Sequence, residues 1–147
     1  MTSDEQHVRR AIELARANRE VRGGAPFASL LVDDAGTVLR EECNTVLADD
    51  DVTAHPELKL ARWAARELSL ETARTVTMYT SCEPCGMCAG AIDRAGLRRV
   101  VFAMSGATLG SLQPSAAVQP VPVAGPFLED EAVEALADHV CVERPRP

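Results

Sequence analysis

The sequence lacks any apolar run that approaches the ~20 residues a helix needs to cross a bilayer. Basic side chains are also scarce: there are 15 of them against 22 acidic ones, giving a formal net charge of −7. Because phosphate binding depends on neutralisation by Lys and Arg, this balance argues against a broad nucleic-acid surface. We therefore expect a small-molecule substrate, with neither a nucleic acid nor a membrane as partner.

Internal repeats and long low-complexity linkers are absent as well, and the first residues are polar and acidic. A secretory signal requires a basic start followed by an apolar stretch, so we expect a cytoplasmic protein. Of the 147 residues, 46% are hydrophobic and 25% are charged, which is typical of a globular chain. A single domain over residues 1–147 is predicted, long enough to bury a core without disulfides.

The hydrophobic pattern alternates between helical and strand-like segments. Helices are predicted over residues 4–21, 55–68, 84–95 and 128–140. Strands are predicted over residues 27–33, 37–44, 75–80 and 97–103, with a short one near 121–124. The first two strands should form a hairpin, and Ser3 is a candidate cap for the first helix. This alternation indicates an α/β sandwich around a largely parallel sheet.

Three of the five cysteines, Cys82, Cys85 and Cys88, fall within seven residues. In a chain expected to stay in the cytoplasm, such clustering indicates a metal site rather than a disulfide framework. Cys85 and Cys88 can face one point from the first turn of a helix, where partial positive charge and free N–H groups favour the thiolate. Pro84 suits the start of that helix, because its missing N–H would have no partner there.

His55 supplies the other half of the predicted site. Another helix begins here, with Pro56 in its first turn and Glu57 close to His55 but not needed as a ligand. One His and two Cys leave a fourth tetrahedral position for water, which is typical of catalytic zinc. We therefore predict that His55, Cys85 and Cys88 bind Zn²⁺ and that Glu57 is catalytic.

A closed structural site is the alternative, because Cys82, Cys85 and Cys88 are evenly spaced and could join His55 in a Cys₃His set. It would place Cys82 at the end of a strand, before the helix that orients the other two thiols. It would also leave Glu57 without a role. Loss of zinc in a Cys82→Ser variant would favour this alternative.

The order H-x-E…P-C-x-x-C is a known signature of base deaminases, and the chain resembles the cytidine deaminase-like superfamily. It looks most like the group of guanine deaminases, fungal-type cytosine deaminases and bacterial tRNA adenosine deaminases. The resemblance rests on residues 26–28, on Asn44, and on residues 53–57 and 80–92. It implies a three-layer α/β/α sandwich around a mixed five-stranded sheet, and a homodimer or larger assembly.

The resemblance also implies roles for individual residues. The predicted His and Cys ligands hold zinc, and Glu57 carries protons between water and substrate. Asn44 hydrogen-bonds the base or its sugar, and Phe27 lines the pocket. Backbone N–H groups near Cys85 and Ala54 are further candidates for substrate contacts. Glu83 is left open between a structural role and pocket lining.

Two departures from the family pattern bear on the substrate. The common triplet His-Ala-Glu is His-Pro-Glu at residues 55–57, where proline should be sterically acceptable but can shift the pocket wall. Residues 113–147 contain a single aromatic, Phe127, whereas guanine deaminases carry an aromatic-rich tail. Residues 129–138 are acidic, whereas tRNA enzymes often have a basic helix there. Residues 107–112 nevertheless echo the tRNA enzymes.

Three hypotheses follow. The leading one is a zinc-dependent hydrolytic deaminase that releases ammonia from a small nucleobase-like ring: guanine, cytosine, or a related aminopyrimidine or aminotriazine. The second is a tRNA-specific adenosine deaminase, against which the acidic charge counts. The third is of another class, a non-catalytic zinc-stabilised binding module, for which Glu57 would be dispensable.

Overall fold

The computed structural model describes residues 2–116 and 118–136. The helices are α1 Ser3–Arg22, α2 Val46–Asp49, α3 Pro56–Glu67, α4 Leu70–Thr75, α5 Gly86–Ala95, α6 Gly106–Leu112 and α7 Glu129–Glu134, with a 3₁₀ turn at Pro114–Ala116. The strands are β1 Ala28–Val32, β2 Val38–Cys43, β3 Thr77–Cys82 and β4 Arg99–Met104. Every helix in these ranges is too short or too polar to cross a membrane.

The sheet has the strand order β2-β1-β3-β4. Strand β1 runs antiparallel to both of its neighbours, and only β3 and β4 are parallel. The predicted hairpin and mixed sheet are therefore confirmed, whereas the expectation of a largely parallel sheet is wrong. The described residues form four strands rather than five. Residues 118–126 have no regular structure, because Pro120, Pro122 and Pro126 have no N–H to donate to a strand ladder.

Helices cover both faces of the sheet. On one face, Ala11 of α1 packs against Leu30 of β1. On the other face, Leu31 packs with Leu60 of α3 and Ile92 of α5. Successive residues of a strand point to opposite faces, so the fully buried strand β1 contributes to both halves of the core. The predicted three-layer α/β/α architecture is confirmed.

Two predicted helix starts need correction. Helix α1 is capped by Thr2 rather than Ser3: the Thr2 hydroxyl accepts from Glu5 N–H, and the Glu5 carboxylate accepts from Thr2 N–H. This reciprocal capping box satisfies two N–H groups that the helix leaves free. Helix α5 is capped by Cys85, so Pro84 lies just before the helix and not within its first turn.

Three short helices, α2, α4 and α6, were not predicted. Helix α4 occupies part of the segment before β3, so that strand begins at Thr77 rather than at residue 75. Its N-cap Ser69 accepts from Thr72 N–H at 3.0 Å. Helix α6 follows β4 and is capped in the same way, with Ser105 accepting from Thr108 N–H at 3.1 Å. A serine three residues before a threonine is the local signal in both cases.

The C-terminal helix α7 is shorter than the predicted segment 128–140, of which residues 137–140 lie outside the described residues. The apolar side chains of α7 and of the segment before it are not buried against the rest of the described residues. The large apolar side chains of this region are 60–93% exposed: Val118, Val121, Val123, Phe127, Leu128, Val133 and Leu136. We call this set the exposed C-terminal apolar segment.

Candidate active site

The beginnings of α3 and α5 place the predicted metal ligands side by side. His55 is the N-cap of α3 and Cys85 is the N-cap of α5, both with extended backbone. Cys88 lies in the first turn of α5. Pro56 occupies the first position of α3, where its fixed φ suits the helix and its missing N–H costs nothing. Because the two helices pack against each other, their first turns converge on one point.

The three ligand atoms have the spacing of a tetrahedral zinc site. His55 Nδ1 lies 3.7 Å from Cys85 Sγ and 3.6 Å from Cys88 Sγ, and all three atoms lie within 4.8 Å of one another. Zinc bonds of about 2.3 Å to sulfur and about 2.05 Å to nitrogen at tetrahedral angles separate the two atoms by roughly 3.6 Å. The two nitrogen–sulfur distances of this group therefore match those of a Zn²⁺ site.

Cys82 does not belong to this ligand group. It lies at the end of β3, is buried, and forms part of the wall of the adjacent cavity. The described residues therefore supply three ligands and not four, which leaves the fourth tetrahedral position to solvent or substrate. The closed Cys₃His alternative has no support from the described residues.

The surroundings of Cys88 favour its neutral thiol when no metal is bound. Burial raises the pKa of the Cys88 thiol, and the neighbouring Glu57 carboxylate raises it further. Burial and the carboxylate thus oppose the helix dipole, which favours the thiolate at the start of α5. A bound divalent cation reverses this balance, since a coordinating thiol is deprotonated outright.

Glu57 lies beside the metal ligands without being one of them. Its side chain is only 5% exposed. Oε1 accepts a hydrogen bond from Thr80 Oγ1 at 2.8 Å, and Oε2 lies 3.8 Å from Cys88 Sγ. The carboxylate is thus next to the site where a metal-activated water would lie, as a proton carrier must be. Thr80 was not singled out from the sequence, because its contact spans 23 residues of chain.

A cavity of about 270 Å³ opens beside the ligand group. Its lining residues are Phe27, Asn44, His55, Pro56, Glu57, Cys82, Glu83, Cys85, Leu109, Gln113 and Ala116. Phe27 and Asn44 thus both lie in the wall of this cavity. None of these described lining residues is Lys or Arg. The cavity therefore offers amide, carboxylate and apolar surface, and no fixed cation for a phosphate.

Asn44 is buried, and its side-chain amide is held in place. Its Oδ1 accepts from Val46 N–H at 3.1 Å, and its backbone carbonyl accepts from Asn18 Nδ2 at 3.0 Å. With Oδ1 engaged, the Nδ2 group is the donor that this residue can offer to a ligand.

Ala54 does not lie in the cavity wall. Its N–H donates to Asp51 O at 3.0 Å and its carbonyl accepts from Thr45 N–H at 3.1 Å. Both backbone groups thus serve the loop itself. The prediction that an N–H group at Ala54 contacts substrate has no support in this geometry.

Helix α6 and the turn after it form one side of the cavity through Leu109, Gln113 and Ala116. The helix is tied to the site by Glu83, whose Oε2 accepts from Gly106 N–H at 2.7 Å. Glu83 therefore combines the two roles that the sequence left open. Leu109 and Gln113 were missed because the sequence does not show how this segment folds back over the site.

A family model described as the cytidine and deoxycytidylate deaminase zinc-binding region matches residues 1–104. A probable cytosine deaminase of Schizosaccharomyces pombe is 36% identical over 149 aligned residues, which cover 88% of each protein. A tRNA-specific adenosine deaminase of Haemophilus influenzae is 37% identical over 109 residues, 74% of this chain but only 62% of that protein. The X-ray structure of guanine deaminase from Bacillus subtilis superposes with a TM-score of 0.73 and 26% identity, covering 95% of this chain and 97% of that one.

Proposed function

The chain belongs to the cytidine and deoxycytidylate deaminase family and is a zinc-binding hydrolytic deaminase; from this premise we propose that its substrate is a small, free nucleobase-like ring. Guanine, cytosine and related aminopyrimidines or aminotriazines have the required exocyclic amine, which would leave as ammonia. The proposal rests on one observation: Glu57, Asn44 and two of the three candidate ligands, His55 and Cys85, line a single cavity of about 270 Å³.

His55, Cys85 and Cys88 would hold the zinc ion. Zinc bound by such a set polarises a water molecule and lowers its pKa toward ~7, which makes hydroxide available at neutral pH. The walls of the cavity hold the ring so that its amine-bearing carbon faces this water.

Glu57 carries protons in two stages. It first takes a proton from the attacking water and delivers it to the ring nitrogen beside the amine-bearing carbon, while the oxygen bonds to that carbon. It then takes the remaining hydroxyl proton and delivers it to the amino group. The carbon–nitrogen bond breaks, ammonia leaves, and the ring retains a carbonyl oxygen derived from water. A single carboxylate serves as base and as acid, because it lies near both water and ring.

Asn44, Phe27 and Gln113 are the proposed substrate contacts. The Nδ2 group of Asn44 can donate to a ring carbonyl or ring nitrogen, and Phe27 supplies an aromatic surface in the same wall. Gln113 adds a second carboxamide, which both donates and accepts. A volume of about 270 Å³ lies just below the ~300–1,000 Å³ typical of ligand pockets, which suits a single base.

The similarity to a tRNA-specific adenosine deaminase keeps a tRNA substrate as the competing proposal. Two observations favour the free base. The formal net charge of −7 opposes binding to a polyanion, and the described cavity lining contains no Lys or Arg.

A screen for ammonia release tests the proposal. The zinc-loaded protein is assayed with guanine, cytosine, isocytosine, adenine and aminotriazines, with the matching nucleosides, and with tRNA at several salt concentrations. We expect turnover of at least one free base that exceeds turnover of its nucleoside. Activity on tRNA alone, falling steeply with added salt, would contradict the proposal and favour the tRNA enzyme.

The protein is further proposed to be a cytoplasmic homodimer. The four cysteines in the described part of the chain are free thiols, as is usual in a reducing compartment. The exposed C-terminal apolar segment supports self-association, because exposed apolar patches of this kind mark interaction surfaces.

A further inference from the structure

Two hydroxyl groups lie in the fully buried centre of the sheet, directly behind the Glu57 carboxylate. Ser29 of β1 and Thr80 of β3 are paired across the two strands, and neither side chain is exposed. Ser29 Oγ donates to Thr80 Oγ1 at 2.8 Å. Thr80 Oγ1 donates in turn to Glu57 Oε1 at 2.8 Å. Buried hydroxyls cost free energy unless they are hydrogen-bonded, and here the bonds run in one direction, toward the carboxylate.

The direction of these two hydrogen bonds follows from the number of hydroxyl hydrogens that are available. Thr80 has one hydroxyl hydrogen and two acceptors within reach, Glu57 Oε1 at 2.8 Å and the Cys82 carbonyl at 3.0 Å. The hydrogen supplied by Ser29 occupies a lone pair of the Thr80 oxygen and leaves the Thr80 hydrogen for an acceptor. A charged acceptor makes the shorter and stronger bond, so the carboxylate is favoured over the carbonyl.

We propose that Thr80 is a positioning residue for Glu57, and that Ser29 orients the Thr80 hydroxyl. The proposal rests on the proposed function, because it assigns Thr80 a part in the proton transfers of Glu57. The terminal torsion of a glutamate is soft, so a free carboxylate would sample many orientations. Thr80 anchors Oε1 on the sheet side, and Oε2 is left beside Cys88 Sγ at 3.8 Å, toward the metal ligands.

The test compares Thr80→Val with Thr80→Ser. Valine has nearly the same shape without the hydroxyl, whereas serine keeps the hydroxyl and loses the methyl group. We expect Thr80→Val to lower kcat by roughly 10–100-fold, the usual loss when a group that orients a metal-site residue is removed. KM and zinc content should stay unchanged, because Thr80 is neither a metal ligand nor among the residues that line the cavity. Thr80→Ser should restore most of kcat.

Thr77→Val is the matched control, since it makes the same change at the start of the same strand. Unchanged kcat in Thr80→Val would overturn the proposal, as would an equal loss in Thr80→Val and Thr80→Ser, which would assign the effect to packing. If Thr80→Val does not fold, Ser29→Ala carries the test. It should lower kcat with KM unchanged, and wild-type kcat in this variant would overturn the proposal.

The wild type is assayed first, with the set of free bases and with tRNA, so that two different failures remain distinguishable. A wild type that acts only on tRNA contradicts the proposed substrate, and the Thr80 variants are then compared on tRNA. A wild type that acts on a free base, with Thr80→Val equal to it, contradicts only the positioning role.

Discussion

Glu57 is a carboxylate that the fold buries almost completely, at 5% exposure. Such burial costs free energy, and the bond from Thr80 together with a nearby cation offsets it. We predict that Glu57→Gln retains zinc and lowers kcat by roughly 10²–10⁴-fold, the range of acid–base catalysis. Ammonia release and bound zinc are the two measurements. Glu67→Gln, at the exposed end of the same helix, is the control, and near-normal turnover in Glu57→Gln would refute the assigned role.

Cys82 and Cys88 are both buried thiols within one short segment, but only Cys88 belongs to the ligand group. We predict that Cys88→Ser loses most of its zinc and that Cys82→Ser keeps it. Metal analysis of the two purified variants at equal protein concentration checks this. Zinc loss in both variants would contradict the three-ligand assignment and favour the closed Cys₃His site.

At the residue scale, the sequence predicts those site residues that lie only a few positions apart in the chain. Cys85 and Cys88 were found because ligands three residues apart share one helical turn. The Ser29–Thr80 pair could not be found in this way, since it is formed by strand pairing across 51 residues. Gln113 was missed for the same reason, because it reaches the cavity through the fold and not through the spacing of a motif.

A charge-assisted hydrogen bond, from Gly106 N–H to the Glu83 carboxylate, holds the start of helix α6 against the site. Such an exposed bond contributes about 0.5–1.5 kcal/mol. We predict that Glu83→Ala raises KM roughly two- to tenfold, with a smaller effect on kcat. This factor is the free energy of the lost hydrogen bond converted into a change of affinity. Steady-state kinetics with Glu71→Ala as a control check this prediction. A loss confined to kcat would show that Glu83 acts on the reacting groups instead.

The start of α1 is fastened to the sheet by Asp4. Its carboxylate accepts from Arg99 Nη2 at 2.6 Å and from Tyr79 OH at 2.7 Å. The Arg99 bond and then the Tyr79 bond lower the pKa of Asp4 from 3.8 to about 2. A carboxyl whose pKa is lower in the folded state stabilises the fold above its unfolded pKa, and loses that effect as the pH falls through the folded pKa.

Wild type should therefore lose stability as the pH falls from about 4 to about 2, and Asp4→Asn should lose less over this window. Urea unfolding midpoints measured across it give the comparison. Asp34→Asn, in the exposed turn between β1 and β2, serves as control. Identical acid profiles for wild type and Asp4→Asn would show that the contact contributes nothing to folding.

At the scale of secondary-structure elements, the length of a helix determined whether the sequence could predict it. Helix α1 has 20 residues, enough for its period to be recognised, whereas α4 and α6 have six and seven. Strand direction was misjudged because alternation of strands and helices does not specify it. The step from β1 to β2 is a hairpin, and β1 then pairs antiparallel with β3, so the one parallel pair arises only across α5.

At the scale of the whole molecule, the exposed C-terminal apolar segment faces solvent, with Phe127 79% and Val123 93% exposed. We predict that light scattering after size exclusion gives a mass of about twice 15.7 kDa. A Val123→Asp/Phe127→Asp variant should shift toward the monomer, because charges oppose burial of this segment. A monomeric wild type at micromolar concentration would contradict the homodimer.

The metal group joins the starts of two helices, since His55 begins α3 and Cys85 begins α5, 30 residues further along the chain. A ligand that binds only the folded chain stabilises it by mass action, so zinc acts as a reversible cross-link within the core. We therefore expect the metal-free chain to unfold more readily and to be degraded faster by proteases. On this expectation, scarcity of zinc would lower the abundance and the specific activity of the protein together.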